Sequence, residues 1–585
     1  MRALNLLRNA RIVVSTVHSH AGDDPVLLVL QVSRRVSPGV LRRAAAVGRV
    51  LLRPMRRRLP FVWAFVEHLG GQDAALEQLL NSGAAQGNLR PATCRRLAEL
   101  ALATGNTVQA DRLLERGGAS APGTSARRLW YDGDMSGAVT VLHAAGRTRH
   151  EQRLAAELRV FEGWSPRLPP VGSYSPAPRT VLHLLTNSLP HTGSGYAQRS
   201  HSILTAQRAQ GWQVHAVTRI GYPVQVGRLL ARDADVVDGV TYHRLLPGKL
   251  ARGYDSRLQQ QAEEVLALAL RLKPAVLHTT THFINGLVAA EVARVLGIPW
   301  VYEVRGQLAD TWASSRSAQA TASERYKLFT DRETQVMRNA NLVVTLGEAM
   351  KREIMLSGVS AEKVLLTPNA VGDEYLEPPI SSAEARKRLG LEAAGTYVGT
   401  VSSLVDYEGL DTLLHAVARL APSVPGLRCL IVGDGVAAPG LKSLAGRLGI
   451  TDRVVFTGRV PREEARTYHQ ALDIFVVPRK DLDVTRSVTP LKPVEAMACA
   501  RPVIASNLPA LREIVVESVT GVLVKPEAAE DLAAAISGLM TVDGFPTPRA
   551  QAWGAAGRSL VLERRTWALN AERYATSYAR IGVAV

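Results

Sequence analysis

Cysteine is nearly missing from this chain. The three present among 585 residues, Cys94, Cys429 and Cys499, are odd in number and far apart. That excludes a disulfide framework and a clustered-cysteine zinc site, and it suits a reducing compartment. Long apolar runs are missing as well. No stretch approaches the roughly 20 residues of a membrane span, and no N-terminal segment reads as a signal peptide. The run "PVLLVLQV" (25–32) is too short to span and reads as a strand. Aromatic residues are scarce at 5% and are not interleaved with the basic stretches, which argues against nucleic acid as a partner. A cytoplasmic protein is expected.

Acidic charge is also in deficit: 52 Asp and Glu face 70 Lys and Arg, a net +18. The imbalance is concentrated at the front, where residues 1–60 hold twelve arginines against two aspartates, a net +10. On a helical wheel Val40, Ala44, Val47 and Leu51 share one face, and Arg42, Arg49, Arg53 and Arg56 the opposite one. Such a helix suits peripheral contact with an anionic membrane surface. A solvated arginine face on a packed helix fits the same pattern.

The length allows three or four domains. Residues 1–163 read as mostly helical, with "LALATGNTVQADRLL" (100–114) and "RLWYDGDMSGAVTVL" (128–142) aligning at an offset of 28. Each unit reads as helix, Gly-Asn or Gly-Asp turn, then helix, resembling tetratricopeptide-type hairpins. The expected role is protein-partner docking or a helical cap on the rest of the chain. A linker over 164–179 follows, in a stretch with five prolines and three serines. Branched runs then alternate with amphipathic segments. "VLHLLTN", "QVHAVT", "AVLHT", "PWVYEVRG", "LVVTLG" and "KVLLTPN" form one series; "YVGTVS", "RCLIVGDG", "RVVFTG", "DIFVVPR", "RPVIAS" and "GVLV" form a second. This predicts an α/β chain with two facing, doubly wound parallel sheets and ligand in the cleft at the strands' carboxyl ends.

The second series places its chemistry after its strands. Gly433 and Gly435 follow one strand, Arg459 another, and Arg479 and Lys480 a third. Then comes "VTPLKPVEAMA", with Thr489 as expected N-cap, Leu491 and Lys492 at the helix start, and Glu495 about one turn on. A lysine at the partly positive end of a helix makes sense if an anion such as phosphate is bound there. A carboxylate one turn further can accept both hydroxyls of a ribose. In the first series, "PHTGSGYAQRS" offers Gly193 and Gly195, whose backbone N–H groups can approach oxygen atoms, followed by Arg199. A turn that needs glycine for its φ is the alternative. His278 and His282 follow a strand, as do Glu303 and Arg305, which suit acceptor binding or a buried ion pair. The "DLD" at 481–483 imitates a metal-binding motif but reads as loop charge, so no metal and no cofactor are expected.

These ordered stretches, together with "VDYEGLDTLLHAVARL" and "NLVVTLGEAMKREIMLSGVSAEKVLLTPNAV", resemble the retaining glycosyltransferases of family 4, with the GT-B fold. "YEGLD" and "TPLKP-EAMA" look most like the branch associated with exopolysaccharide and exosortase clusters. The resemblance implies an acceptor domain over 180–378, a nucleotide-sugar donor domain over 379–560 and a closing helix over 561–585 that returns to the acceptor domain. It implies metal-independent transfer, with retention, from a nucleotide-sugar donor to a saccharide or lipid-linked acceptor in cell-surface polysaccharide or glycolipid synthesis.

By residue, the resemblance puts Glu495 on the ribose as the second glutamate of the family's E-x7-E motif, while Ser487 stands where the first would be. The family's diphosphate-binding Arg and Lys fall on Ser403 and Glu408. Arg479 and Lys492, supported by Arg459 or Arg486, are the expected replacement cations. His282 and Arg305 are the expected catalytic residues, and Gly193, Gly195 and Arg199 the glycine loop near donor phosphate and acceptor. A non-catalytic sugar-nucleotide scaffold or sensor, and another GT-B activity such as an epimerase, are the competing expectations.

Overall fold

The branched runs are strands buried on both faces, as parallel sheets covered by helices require. In the computed structural model they build two sheets. The structure describes every residue except 1, 22–25, 27–29, 31–32, 34–37, 57, 86–88, 118–120, 315, 542 and 585. The first sheet comprises β1 (Thr180–Leu185), β2 (Gln213–Thr218), β3 (Ala234–Val237), β4 (Val240–His243), β5 (Val276–Thr280), β6 (Trp300–Val304), β7 (Leu342–Thr345) and β8 (Val364–Leu366). Its order is β3-β4-β2-β1-β5-β6-β7-β8, parallel throughout except for the β3–β4 hairpin. The second comprises β9 (Thr396–Val401), β10 (Leu427–Val432), β11 (Val454–Gly458), β12 (Ile474–Val477), β13 (Val503–Ser506) and β14 (Gly521–Val524). Its order is β11-β10-β9-β12-β13-β14, all parallel. Strand order reverses at β1/β5 in one sheet and β9/β12 in the other, and crevices at such points are where open α/β sheets bind ligands.

All twelve runs of the two alternating series are strands; the β3–β4 hairpin is additional. The Asp238-Gly239 pair that turns it is a two-residue hairpin signal, with both residues at positive φ. The chain crosses between halves twice, side by side. Val371 N–H donates to Arg565 O at 2.9 Å and Trp567 N–H to Val371 O at 3.1 Å. Helix Trp567–Arg580 then packs on the first half, with Tyr574 and Tyr578 buried beside Trp212. Tyr578 Oη is hydrogen bonded to His278 Nδ1 at 2.6 Å and accepts from Gln207 Nε2 at 3.1 Å.

The front segment is helical and packed against the first sheet's unit. Helices Pro91–Ala103 and Thr107–Gly117 form one hairpin, Pro122–Asp132 and Met135–Ala144 the next, with Gly105 and Gly133 at positive φ in the turns. Ile12 and Phe161 sit in the same apolar core as β5 and β6 residues, and Arg8 pairs with Asp233 at 2.7 Å. The segment is therefore a cap on the Rossmann-like unit. The strand expected over 25–32 falls mainly outside the described residues; Val26 and Leu30, which are described, are helical and buried among Leu76, Leu80 and Leu97. In helix Pro38–Leu52, Ala45 is buried and Arg49 pairs with Glu67. The apolar wheel face is turned outward instead, with Val40, Val47 and Leu51 at 55%, 59% and 69% exposure. Among the described residues no helix is long and apolar enough to cross a membrane.

Candidate functional site

The two switch points supply the candidate site. After β1 the chain runs through the glycine turn into helix Gly195–Ala209, whose N-cap Ser194 accepts from Ala197 N–H at 3.3 Å. Neither Gly193 nor Gly195 has positive φ. A Cβ on Gly195 would meet nothing within 4 Å, and one on Gly193 only Gln198 Nε2 at 3.8 Å. Turning the chain therefore does not explain these glycines; they leave bare backbone beside open space. Gly433 is the opposite case. It has φ 135°, and a Cβ there would lie 1.9 Å from Ser402 O. Gly435 is equally tight against Leu404 O, at 2.2 Å. These two glycines let the loops after β9 and β10 pack together, which is a packing reason for glycine at 433 beside the donor contact expected of it.

Arg199 and Arg305 do not reach into the cleft as free cations. Glu303, fully buried at the end of β6, accepts from Arg199 Nη2 at 2.8 Å with one oxygen and from Arg305 Nη2 at 2.7 Å with the other. Burial raises its carboxyl, but Arg305 and Arg199 outweigh this and hold it well below the usual range. Arg199 also donates to Thr367 O at 2.7 Å and Asn369 Oδ1 at 3.1 Å. Arg305 also donates to Ser200 Oγ at 2.7 Å and Tyr196 O at 3.0 Å. This buried cluster braces the glycine-turn helix against the ends of β6 and β8. His282 is also engaged within the first half. It is the N-cap of helix Phe283–Leu296, and its ring lies 4.5 Å from Phe283 and 4.7 Å from Phe329. Burial, with the nearby Arg325 charge, lowers it to about 3. It is a neutral capping side chain packed among phenylalanines.

In the second half, helix Lys492–Ala498 begins three residues after Thr489, with Leu491 as its N-cap residue. The N-cap role expected of Thr489 is thus displaced. Thr489 O accepts from Asn369 Nδ2 of the first half at 2.9 Å. Its buried hydroxyl has no hydrogen-bond partner among the described residues. Pro490 precedes the helix and Pro493 lies in its first turn, as does Glu495. Lys492 Nζ donates to Glu495 Oε2 at 2.8 Å, while His469 Nε2 lies 3.4 Å from the same oxygen. Burial would raise the Glu495 carboxyl, but Lys492 and then His469 outweigh it and hold the group at about 2. His469 was not singled out from the sequence; it lies in "RTYHQAL", where only its place on a buried helix face could have signalled it.

Glu408, after β9, and Arg479, after β12, meet across the second switch point. Arg479 donates from Nε at 3.1 Å and Nη2 at 2.7 Å to the two carboxylate oxygens, and from Nη1 to Val488 O at 2.9 Å. The residue in the family's lysine position therefore neutralises its expected replacement. Arg486 is held by Asp481 at 2.5 and 2.9 Å, and Lys480 by Asp406 at 2.8 Å. Ser487 Oγ donates to Asp483 O at 3.1 Å and contributes no carboxylate. Arg459, exposed beyond β11, makes no hydrogen bond or ion pair with the described residues. No group of three His, Cys, Asp or Glu placed to hold a metal occurs among the described residues.

Contacts across the cleft bring these pieces face to face. A Cβ on Gly306 would lie 3.0 Å from Tyr196 Oη and 3.8 Å from Val488. Arg462 donates to Gln198, joining the helix after β11 to the helix of the glycine turn. Tyr196, next to the glycine turn, and Val488, four residues before Lys492, thus both border Gly306.

Two facing parallel sheets with a final helix that returns to the first half define the GT-B architecture. Solved structures share it. The sucrose-phosphate synthase of Thermosynechococcus elongatus superposes with a TM-score of 0.56 at 23% identity, covering 69% of this chain and 100% of that one. Anabaena HepE in complex with UDP gives 0.54 at 18%, covering 68% and 100%. Within that architecture, residues 194–370 match the family model described as glycosyl transferase 4-like domain, and residues 381–560 match that of glycosyl transferases group 1. Among curated relatives, a GDP-mannose-dependent alpha-(1-6)-phosphatidylinositol monomannoside mannosyltransferase of Mycobacterium tuberculosis is 34% identical over 229 residues, 38% of this chain. The matched segment spans 58% of that relative's length. A D-inositol 3-phosphate glycosyltransferase of Stackebrandtia nassauensis is 28% identical over 419 residues, 68% of this chain and 89% of its own length.

Proposed function

We propose that this chain transfers a sugar, with retention, from a nucleotide-sugar donor to a saccharide or lipid-linked acceptor in cell-surface polysaccharide or glycolipid synthesis. The observation that carries the reading is the bare Gly193–Gly195 backbone, free of any local need for glycine, after the first switch-point strand, together with the Lys492–Glu495 pair after the second. In this reading Glu495 accepts from the ribose hydroxyls, its low pKa keeping it ionised at any working pH. Lys492 turns from Glu495 to the diphosphate, with Arg459 as the second cation. Thr489 Oγ1 donates to a phosphate oxygen, and Leu491 lines the approach. Cationic stabilisation of the leaving diphosphate is then the main catalytic contribution, and the acceptor hydroxyl attacks on the face from which the diphosphate leaves. The leaving phosphate oxygen takes the proton. The relatives named above, a mannosyltransferase and an inositol-phosphate glycosyltransferase, support a hexosyl donor.

The test is a calorimetric titration with UDP, GDP and ADP, followed by NMR assignment of the product's anomeric configuration. Saturable binding of one nucleotide, weakened by Lys492→Ala, supports the reading; no binding of any nucleotide overturns it. A second reading, a sugar-nucleotide-binding scaffold without transfer, is favoured by the Glu408–Arg479 pair, which occupies the position of a phosphate contact. Nucleotide binding with no transfer in wild type, and transfer appearing in Glu408→Lys, would decide for it. The outward apolar face of helix Pro38–Leu52 and its arginines support peripheral attachment to an anionic membrane. Flotation with phosphatidylglycerol vesicles but not phosphatidylcholine vesicles is the expected result.

A further inference from the structure

His469 sits fully buried in the last turn of helix Arg462–Ala471, its ring 5.3 Å from that of Phe475 on β12. Burying an imidazole is costly unless its nitrogens find partners. Here neither ring nitrogen makes a hydrogen bond with the described residues. Nε2 lies 3.4 Å from Glu495 Oε2, just beyond the roughly 2.7–3.2 Å of a well-made N–H···O bond. Burial lowers the ring's pKa by more than Glu495 raises it, so the imidazole is neutral at neutral pH and carries one proton. A carboxylate only accepts, so that proton belongs on Nε2.

Glu495 supplies a reason to keep such a ring. Its Oε2 has both neighbours, Lys492 Nζ at 2.8 Å and His469 Nε2 at 3.4 Å, while its Oε1 makes no hydrogen bond with the described residues. The two neighbours differ in freedom. The Lys492 side chain is 36% exposed, on a flexible four-carbon stem. His469 is enclosed at 0% and packed against Phe475, so it stays where it is.

In the reading given above, Lys492 leaves Glu495 for the diphosphate. The Glu495 side chain is only 13% exposed, and an enclosed charge that loses its partner is costly. A second donor on the same oxygen removes that cost. The Nε2–H of His469 is already beside Oε2, and a shift of a few tenths of an ångström completes the bond.

We propose that His469 is a positioning residue: it takes over Glu495 Oε2 when Lys492 turns to the diphosphate, holds the carboxylate toward both ribose hydroxyls, and so makes the site select ribonucleotides over 2′-deoxyribonucleotides. No covalent bond changes in this exchange. Lys492 trades a carboxylate for a phosphate, and the Nε2 proton stays on His469. The proposal rests on the ribose reading of Glu495, and one series of titrations separates the two. The full chain is titrated calorimetrically with UDP, GDP and ADP and with their 2′-deoxy counterparts. The nucleotide that binds wild type is expected to bind about tenfold or more tighter than its 2′-deoxy form. His469→Leu, close in size, should cut that ratio to about threefold or less. His469→Gln, whose amide N–H can stand in for Nε2–H, should keep it. Lys492→Ala should weaken both forms alike and also keep the ratio, because His469 remains. An unchanged ratio in His469→Leu overturns the proposal, since lost packing alone weakens both forms equally. Collapse of the ratio in Lys492→Ala overturns it too, and does so even if His469→Leu does not fold. Nucleotide binding by wild type with no preference for ribose overturns the role of Glu495 itself, and no nucleotide binding at all overturns the cleft reading.

Discussion

The two Rossmann-like halves use arginine in opposite ways. In the first half, Arg199, Arg305 and Glu303 form a closed, buried cluster whose hydrogen bonds end on backbone and side chains of the same unit. In the second, Lys492 and Lys480 form more exposed pairs that a stronger anion could compete for, Arg459 has no partner among the described residues, and only Arg479 is locked in a buried pair, by Glu408. Buried pairs contribute little net stability but cost much when one member is removed. Partly exposed pairs are cheap to exchange. The first half therefore holds geometry, and the second holds charge available to a ligand.

Removing Glu303 tests the first side of that contrast hardest. Glu303→Ala leaves two guanidiniums facing each other without a counter-charge, and a loss of about 3–5 kcal/mol in urea unfolding is expected. A loss under about 1 kcal/mol would break the comparison. The glycines sharpen it next. Gly433→Ala meets Ser402 O at 1.9 Å from a positive φ and should cost more than about 3 kcal/mol. Gly195→Ala should change stability by less than about 0.5 kcal/mol yet reduce transfer about tenfold.

On the second side, Lys492→Ala should weaken nucleotide binding by about 1–3 kcal/mol and cost up to about 2 kcal/mol of stability, because Glu495 loses the main charge that holds it ionised. A pH series reads the same pair. Glu495 is lowered from 4.5 to about 2, so its contribution is complete above 4.5 and is lost as pH falls toward 2. Wild type should lose about 2 kcal/mol more than Glu495→Gln across that window, allowing for solvent around Lys492. The smallest effect belongs to His282. His282→Asn keeps a capping acceptor, and neither the pH–rate profile nor stability should move by more than about 0.5 kcal/mol.

Strand runs were legible because both faces of each sheet are covered, so apolar continuity marks them directly. The β3–β4 hairpin escaped because its strands are four residues each and β3 lies at the sheet edge, where half-exposed positions blur the pattern. In the site, residue types were legible and partnerships were not. Glu408 reads as a lost lysine, but only the fold shows that it takes Arg479. Glu303 and Arg305 suit two roles in sequence, with Arg305 expected to act in catalysis, and only the fold shows the buried ion pair they form. The wheel of helix Pro38–Leu52 missed the packed face, which lies between the apolar and arginine faces and is marked by the small Ala45 and Gly48 rather than by larger residues that look like core.

The paired crossings at Val371 and 565–567 sit at one edge of the molecule, and Glu513 lies beside them, accepting from the Glu348 and Ala349 N–H groups at 2.6 Å each. Arg462 and Gln198 meet elsewhere along the cleft, on side chains alone. Backbone joins at the crossings and side-chain contacts along the cleft, Asn369 to Thr489 and Arg462 to Gln198, make a door with its leaves screwed to one post. Any rotation of the halves about the 371/566 line would have to break the Arg462–Gln198 contact.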